Sequence, residues 1–296
     1  MDKPRILHFL TPLANVSPFD VNMAVDAGFV TASYTNIGLK DVTGLVQDAM
    51  FSRAPPDAPK TCIFIGGRDA LLALDMMEAA KGAMFPPFET SIFADPSGAF
   101  TTAGAMVACV ERRLRAQSAK LAGATVAVFG AKGIVGGVVG IIAAEAGAKV
   151  TLVAHDQSGV VPAKAEEFEK RFGRAFIAAD GSSEAGRRAV LENCEVVMAA
   201  GKAGIQILSA AELRAAKRLK VAADINAVPP LGIEGVDVKA DGTPVPGTPG
   251  VGLGALAIGN IKFRVQHALL QRIAEGKKAQ RFDFRDAYRA ALDLVA

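Results

Sequence analysis

Three glycines at i, i+3 and i+6 between an apolar run and a small-residue run constrain the fold of this chain more than any other feature. Residues 124–156 read ATVAVFGAKGIVGGVVGIIAAEAGAKVTLVAHD. Thr125 to Phe129 is short, apolar and β-branched, which predicts a buried parallel strand. Gly130, Gly133 and Gly136 follow, with Lys132, Ile134 and Val135 in the turn and the first helical residues. Gly147 ends the helix, and Lys149 to Ala154 is the next strand. A pyrophosphate needs backbone N–H groups and a helix N-terminus aimed at it. A Cβ in the turn would hold that ligand away, and glycine also accepts positive φ. The spacing is G-x-x-G-x-x-G, looser than G-x-G-x-x-G. The plain alternative is a tight turn without a ligand. Strand, turn, helix and strand in this order predict a Rossmann-type dinucleotide site.

The second strand ends in His155-Asp156. An acid here accepts from the adenosine ribose hydroxyls and suits NAD, whereas a cation suits the 2′-phosphate of NADP. Asp156 offers the first and His155 the second, with Lys164 downstream as a further phosphate partner. Cofactor choice between NAD and NADP stays open. His155 also reads as an ordinary loop histidine.

At 296 residues the chain is long enough for two domains. The net charge of +3 comes from well-mixed charges without a basic tract, which argues against a nucleic-acid partner. Cys62, Cys109 and Cys194 are isolated. They form no metal-ligand spacing or disulfide framework, so the reading is no metal and a reducing cytoplasm. Cys62 and Cys194 sit in strand-like runs and read as core thiols. No signal peptide or membrane span is evident, because the glycine-rich stretch from Gly133 is too short to cross a bilayer.

Strand-like and helix-like segments alternate along the rest of the chain. Arg5 to Leu10, Val30 to Tyr34, Thr61 to Ile65 and Ser91 to Ala94 predict four strands of a first α/β domain of about 100 residues. Ser17 is a candidate N-cap for a helix from Pro18, with Asp20 in its first turn. A polar cluster after strand one lies where open sheets bind ligands, although ordinary capping explains it equally well. Gly66-Gly67-Arg68-Asp69 has the form of a small anion or substrate loop. Asp95-Pro96-Ser97-Gly98, with Thr101 and Thr102, collects polar groups at a strand end, before a long helix to Arg115. After the fingerprint come strands near residues 175–179, 195–199 and 221–224. The loops 200–204, with Ala200, Gly201 and Lys202, and 224–230, with Asn226, follow strand ends and are expected to line the cofactor cleft. Gly247 to Gly254 reads as a loop. A last long helix through Lys262, and Phe284 to Val295, close the chain. The expected domains are 1–104 with 264–296, and 105–263. The fold class is α/β, with two open parallel-sheet domains and an active-site cleft between them.

The runs SPFDVNMAVDAGF, IFIGG, FADPSGAFTT, DINAVPPLGIEGVD and GLGALAIGNIKF together resemble the bacterial NAD(P)-dependent methylene-tetrahydromethanopterin dehydrogenases, along essentially the whole chain. The similarity is greater to the branch accepting either nucleotide than to the strictly NADP-dependent branch, which has an arginine where this chain has His155. Folate dehydrogenase/cyclohydrolases are more distantly similar. The resemblance implies hydride transfer from 5,10-methylene-tetrahydromethanopterin to NAD(P)+, giving the methenyl form, in formaldehyde oxidation. It implies a tetrahydromethanopterin-type substrate, no metal, a cytoplasmic location and a homo-oligomer. Under it, Asp20 sits near the pterin and its developing cation, and Asp95 and Thr102 help line the pterin pocket. Lys262 matches an active-site lysine of the family that orients substrate. The stricter branch has a histidine one turn later, a place taken here by Gln266, beside His267. Asn226 is expected at the nicotinamide carboxamide, with turn formation before Pro229 as the plainer role.

Two other readings remain open at this level. One is a methylene-tetrahydrofolate dehydrogenase of the same fold. The other is a non-catalytic NAD(P)-binding sensor. A shikimate-type dehydrogenase fits less well, since it removes a proton from a hydroxyl with a Lys–Asp pair, and Lys262 lies too late in the chain for that pattern.

Overall fold

A computed structural model describes residues 3–296. In chain order the first elements are β1 (Ile6–Leu10), α1 (Pro18–Asp26), β2 (Val30–Tyr34), α2 (Leu39–Phe51), β3 (Thr61–Ile65), α3 (Ala70–Gly82), β4 (Ser91–Ala94) and α4 (Ala99–Arg115). They continue with β5 (Thr125–Phe129), α5 (Ile134–Glu145), β6 (Lys149–Ala154), α6 (Val160–Phe172), β7 (Phe176–Asp180), α7 (Glu184–Asn193), β8 (Val196–Ala199), α8 (Ala210–Leu213) and β9 (Val221–Asp224). The chain ends with β10 (Asp241–Pro244), β11 (Val251–Leu253), α9 (Ala255–Glu275), β12 (Arg281–Phe282) and α10 (Phe284–Val295). It divides into two compact units. One takes the chain up to Thr101 together with Phe263–Ala290, and the other takes Thr102–Lys262 with Ala291–Ala296.

The first unit holds a parallel sheet in the order β12-β4-β3-β1-β2. It has five strands where four were expected. The fifth, β12, is two residues long and has no periodicity to read. Its docking has a clear cause in an aromatic row. Phe9, Phe64 and Phe93 occupy matching positions on β1, β3 and β4, with ring centroids 5.0 and 5.3 Å apart, and Phe282 continues the row 6.2 Å from Phe93. Each edge-to-face pair contributes about 1 kcal/mol beyond its area burial. The β3 run TCIFI is buried at every position, as a central parallel strand requires.

The second unit holds a seven-stranded sheet in the order β10-β11-β9-β8-β5-β6-β7, parallel except for the β10–β11 pair. The expected loop at 247–254 carries β11, parallel to β9. Glycine and proline around it hid it, because its three residues are too short a run to show a strand period. Helix α6 carries Pro162 in its first turn, where a missing N–H costs nothing.

Both sheets have a topological switch point where open α/β sheets bind ligands. In the first, β1 lies between β2 and β3; in the second, β5 lies between β6 and β8. No helix among the described residues is long and apolar enough to cross a membrane.

Candidate functional site

The glycine turn after β5 forms the floor of a pocket of about 650 Å³. That volume falls within the usual range for small-molecule and cofactor sites. Gly130 has φ +80°, and a Cβ there would stand 2.5 Å from the Ala200 carbonyl, so the turn and the β8 loop meet backbone to backbone. A Cβ on Gly136 would stand on the Gly130 carbonyl. That contact lets α5 lie flush on the sheet. Gly133 is the N-cap of α5 and offers no side-chain cap. The first N–H groups of α5 have no acceptor inside the helix. They sit at a pocket edge lined by Gly133, Ile134 and Val135. A cradle kept clear of side chains, with free amide hydrogens and a helix N-terminus, fits a dinucleotide pyrophosphate.

Eight of the expected cofactor residues line this pocket: Gly130, Lys132, Gly133, Ile134, Val135, His155, Ala200 and Gly201. Asp156 and Asn226 are placed differently. The Asp156 carboxylate is engaged by neighbours: Oδ2 accepts from Lys132 Nζ at 2.9 Å, and Oδ1 accepts from Ser158 N at 3.2 Å and Ser158 Oγ at 2.5 Å. Hydrogen bonds from Ser158 and Lys132 hold its pKa well below the usual carboxylate range. Asn226 is 5% exposed. Its Oδ1 accepts from Gly204 N at 3.2 Å and Val228 N at 3.0 Å, while Nδ2 donates to Pro230 O at 2.9 Å. Its amide therefore clamps the loops after β8 and β9, and the turn-forming role is the one the geometry displays. Asp224 holds the same loop from below, accepting from Asn226 N and Ile233 N at 2.9 and 3.0 Å. Burial raises its pKa against the opposing pull of these amides.

Two further cations line the pocket, Lys202 in the loop expected there and Arg187, which was not read from the sequence. Lys202 follows Gly201, and Arg187 comes from α7. Arg187 Nε donates to Glu212 Oε1 at 2.7 Å and Nη1 to Gly181 O at 2.9 Å. Glu212 is 4% exposed and is also the partner of Ser209 in the capping box of α8. Arg187 looks like a surface helix arginine in sequence, and its buried counter-ion lies 25 residues away.

In the first unit, Asp20 lines a small pocket of about 30 Å³ with Thr11, Asn15, Gly67 and Ser97. It lies at the C-terminal ends of β1 and β3. Ser17 caps α1 by accepting from Asp20 N at 3.4 Å. The Asp20 side chain, 5% exposed, accepts from Gln266 Nε2 at 2.7 Å. Gln266, expected at the substrate, has no exposed surface, and its amide is turned to Asp20. Ser97 has φ +53°, a strained conformation outside glycine, and its Oγ donates to Gly67 O at 2.7 Å. Asp95 has no exposed surface either. Its oxygens accept from Phe100 N at 2.9 Å, Thr101 N at 3.1 Å and Thr101 Oγ1 at 2.7 Å. It caps the start of α4, because a strand-end carboxylate facing a helix N-terminus finds free amides there. Thr102 on α4 and Lys262 on α9 are half-buried and line neither pocket. Lys262 precedes Gln266 by one turn of α9, on the same helix face. No group of three or more potential metal-ligating residues occurs among the described residues.

Two parallel-sheet units, one with a glycine-turn pocket at its switch point, define a Rossmann-type two-domain α/β class. Solved structures share this layout. Shikimate 5-dehydrogenase from Listeria monocytogenes, in complex with shikimate and NAD, superposes with a TM-score of 0.56 at 14% identity over 92% of each chain. Ornithine carbamoyltransferase from Pyrococcus furiosus gives 0.54 at 12% identity, covering 93% of this chain and 86% of that one. Such likeness shows the fold alone. Sequence relatives are more specific. The family described as "Methylene-tetrahydromethanopterin dehydrogenase, N-terminal" matches residues 18–97. The NAD(P)-dependent methylenetetrahydromethanopterin dehydrogenase of Methylorubrum extorquens is 48% identical over 292 residues, 98% of each chain. Bifunctional protein MdtA of the same organism is 30% identical over 297 residues, covering 100% of both. The chain belongs to the methylene-tetrahydromethanopterin dehydrogenase family.

Proposed function

We propose that this protein oxidises 5,10-methylene-tetrahydromethanopterin to the methenyl form, with NAD or NADP as hydride acceptor. The observation that carries this reading is the 48% identity over 98% of both chains, which spans both units. The pocket on the glycine turn supports the nucleotide half of it.

The chemistry explains why no nucleophile or base is needed. The methylene carbon lies between two nitrogens, whose lone pairs stabilise the cation left behind. No oxygen loses a proton. When bound, the nicotinamide supplies the acceptor carbon for the hydride. The chain's task is positioning. The α5 N-terminus and the Gly130 turn would hold the pyrophosphate, with the Ala200-Gly201 loop on the far side. Asn226 and Asp224 fix the two loops that border it. In the first unit Asp20 presents a carboxylate toward the growing positive charge, oriented by Gln266. Lys262, one turn before Gln266, orients the substrate. Asp95 and Thr102 act through the start of α4, Asp95 by capping it. The family resemblance further supports assembly as a homo-oligomer, which light scattering of the purified protein would test.

The direct test follows absorbance at the reduced-nicotinamide band, with methylene-tetrahydromethanopterin and each nucleotide, then with methylene-tetrahydrofolate. Fast reduction with the methanopterin is the expected result. Equal or better turnover with the folate moves the substrate to the folate class. Nucleotide binding without turnover of either pterin leaves a sensor.

A further inference from the structure

The end of β6 carries a cluster that hydride transfer does not require. Lys132 comes from the glycine turn, 24 residues before Asp156, and its ammonium reaches that carboxylate at 2.9 Å. His155 Nε2 lies 3.3 Å from the same oxygen. Ser158 holds the other oxygen through its backbone N and Oγ. The Lys132 ammonium also stands 3.4 Å from Ser158 Oγ, and its backbone carbonyl accepts from Lys164 Nζ at 2.7 Å. The side chains of Lys132 and Asp156 are 39% and 37% exposed, within reach of a ligand. Lys132 and His155 line the nucleotide pocket, and Asp156 is joined to both at its edge.

A bare acid at this point in a Rossmann unit takes the ribose diol and repels a 2′-phosphate. Here the acid is covered by a cation that belongs to the phosphate-facing turn. We propose that Lys132 and Asp156 form a two-position discriminator that lets one site take both nucleotides. With a 2′-phosphate present, Lys132 leaves Asp156 and pairs with the phosphate beside His155. With an unphosphorylated ribose, Lys132 stays on Asp156, and the carboxylate's remaining acceptor capacity meets the hydroxyls. Ser158 keeps the carboxylate in place in both positions, and the donors around Asp156 keep it ionised. The cation therefore moves without a proton moving. This inference rests on the dinucleotide reading of the pocket and is independent of the pterin.

The test is a titration of the full-length protein with NADH and with NADPH, read by nicotinamide fluorescence without pterin. Lys132→Met should weaken NADPH by about 10- to 30-fold, the loss of one charge-assisted contact, and NADH by less than about threefold. Lys132→Arg should keep NADPH within about threefold of wild type, showing that charge rather than packing is read. Asp156→Asn should weaken NADH by about fivefold and leave NADPH unchanged or tighter. Thermal melting of each variant guards against misfolding. Equal loss of both nucleotides in Lys132→Met, or no loss of either, overturns the proposal. Wild-type protein that binds both nucleotides yet oxidises no pterin would refute the catalytic reading. The same titrations would still decide this one.

Discussion

The two switch points of this molecule are built in opposite ways. At the β5–β8 switch the ligand surface is backbone: a glycine turn, a bare helix N-terminus and a neighbouring loop in van der Waals contact enclose about 650 Å³. At the β1–β3 switch the surface is side chain. Thr11, Asp20 and Ser97 surround about 30 Å³ and are held by specific hydrogen bonds. A pyrophosphate is recognised by amide groups that every residue carries, so its site depends on side chains being absent. Under the proposed function a developing cation needs a carboxylate in one place, and such a site depends on what holds that carboxylate. Substitutions should therefore act differently at the two: steric ones ruin the first, and isosteric ones damage the second.

The largest effect should come from Gly130→Val. The side chain would meet the Ala200 carbonyl in a residue at φ +80°, and backbone strain adds to the clash. Nucleotide titration should show no measurable binding, and the melting temperature should fall, while the first unit's Asp20–Gln266 pair is untouched. The isosteric change Asp20→Asn should do the reverse. It removes only charge, so kcat should fall about 100-fold, the scale of one electrostatic stabiliser, with nucleotide affinity unchanged. A comparable loss in nucleotide affinity would merge the two sites' roles and end the comparison.

Gln266→Leu sharpens it further. Asp20 would keep its charge and lose the 2.7 Å donor that orients it. The expected loss is about tenfold in kcat, smaller than for Asp20→Asn, with melting lowered by little. At the nucleotide pocket, Glu212→Gln should free Arg187 from its buried partner and weaken both nucleotides about threefold to tenfold.

The smallest effect concerns the thiols, one in the first unit and two in the second. Burial pushes Cys109 up to about 11 and Cys194 up to about 12, and raises Cys62 beyond both. A disulfide reagent at pH 8 should leave all three unreacted on the minutes scale in the native protein and modify all three in denaturant. Their slow native rates report opening of each unit separately. If Cys62 reacted as fast as a free thiol, the first unit would be far looser than its buried aromatic row implies.

Much of this architecture was legible in the residues because its determinants are local. The strand, the glycine turn and the small-residue helix from 125 to 145 state their own geometry, and Ser17-Pro18 announces the start of α1. What escaped notice depends on partners far along the chain. Phe282 is meaningful only beside Phe93, and β11 only beside β9. Asp20 could be singled out as an acid in the first turn of α1, after β1, but its Gln266 donor lies 246 residues away. Asp95 looked equally chemical, yet the amides of Phe100 and Thr101 claim it. Carboxylates near strand ends look alike in sequence; what each one faces depends on which donors the fold brings to it.

The central claim is direct hydride transfer from the methylene carbon, with positioning in place of a base. It is tested most directly by supplying methylene-tetrahydromethanopterin with both methylene hydrogens replaced by deuterium, in ordinary water, and analysing the reduced nicotinamide by mass spectrometry. The account predicts one deuterium per reduced nicotinamide, and none acquired when unlabelled substrate is turned over in heavy water. Deuterium entering from the solvent would contradict it, because a proton-exchanging group would then stand between donor and acceptor.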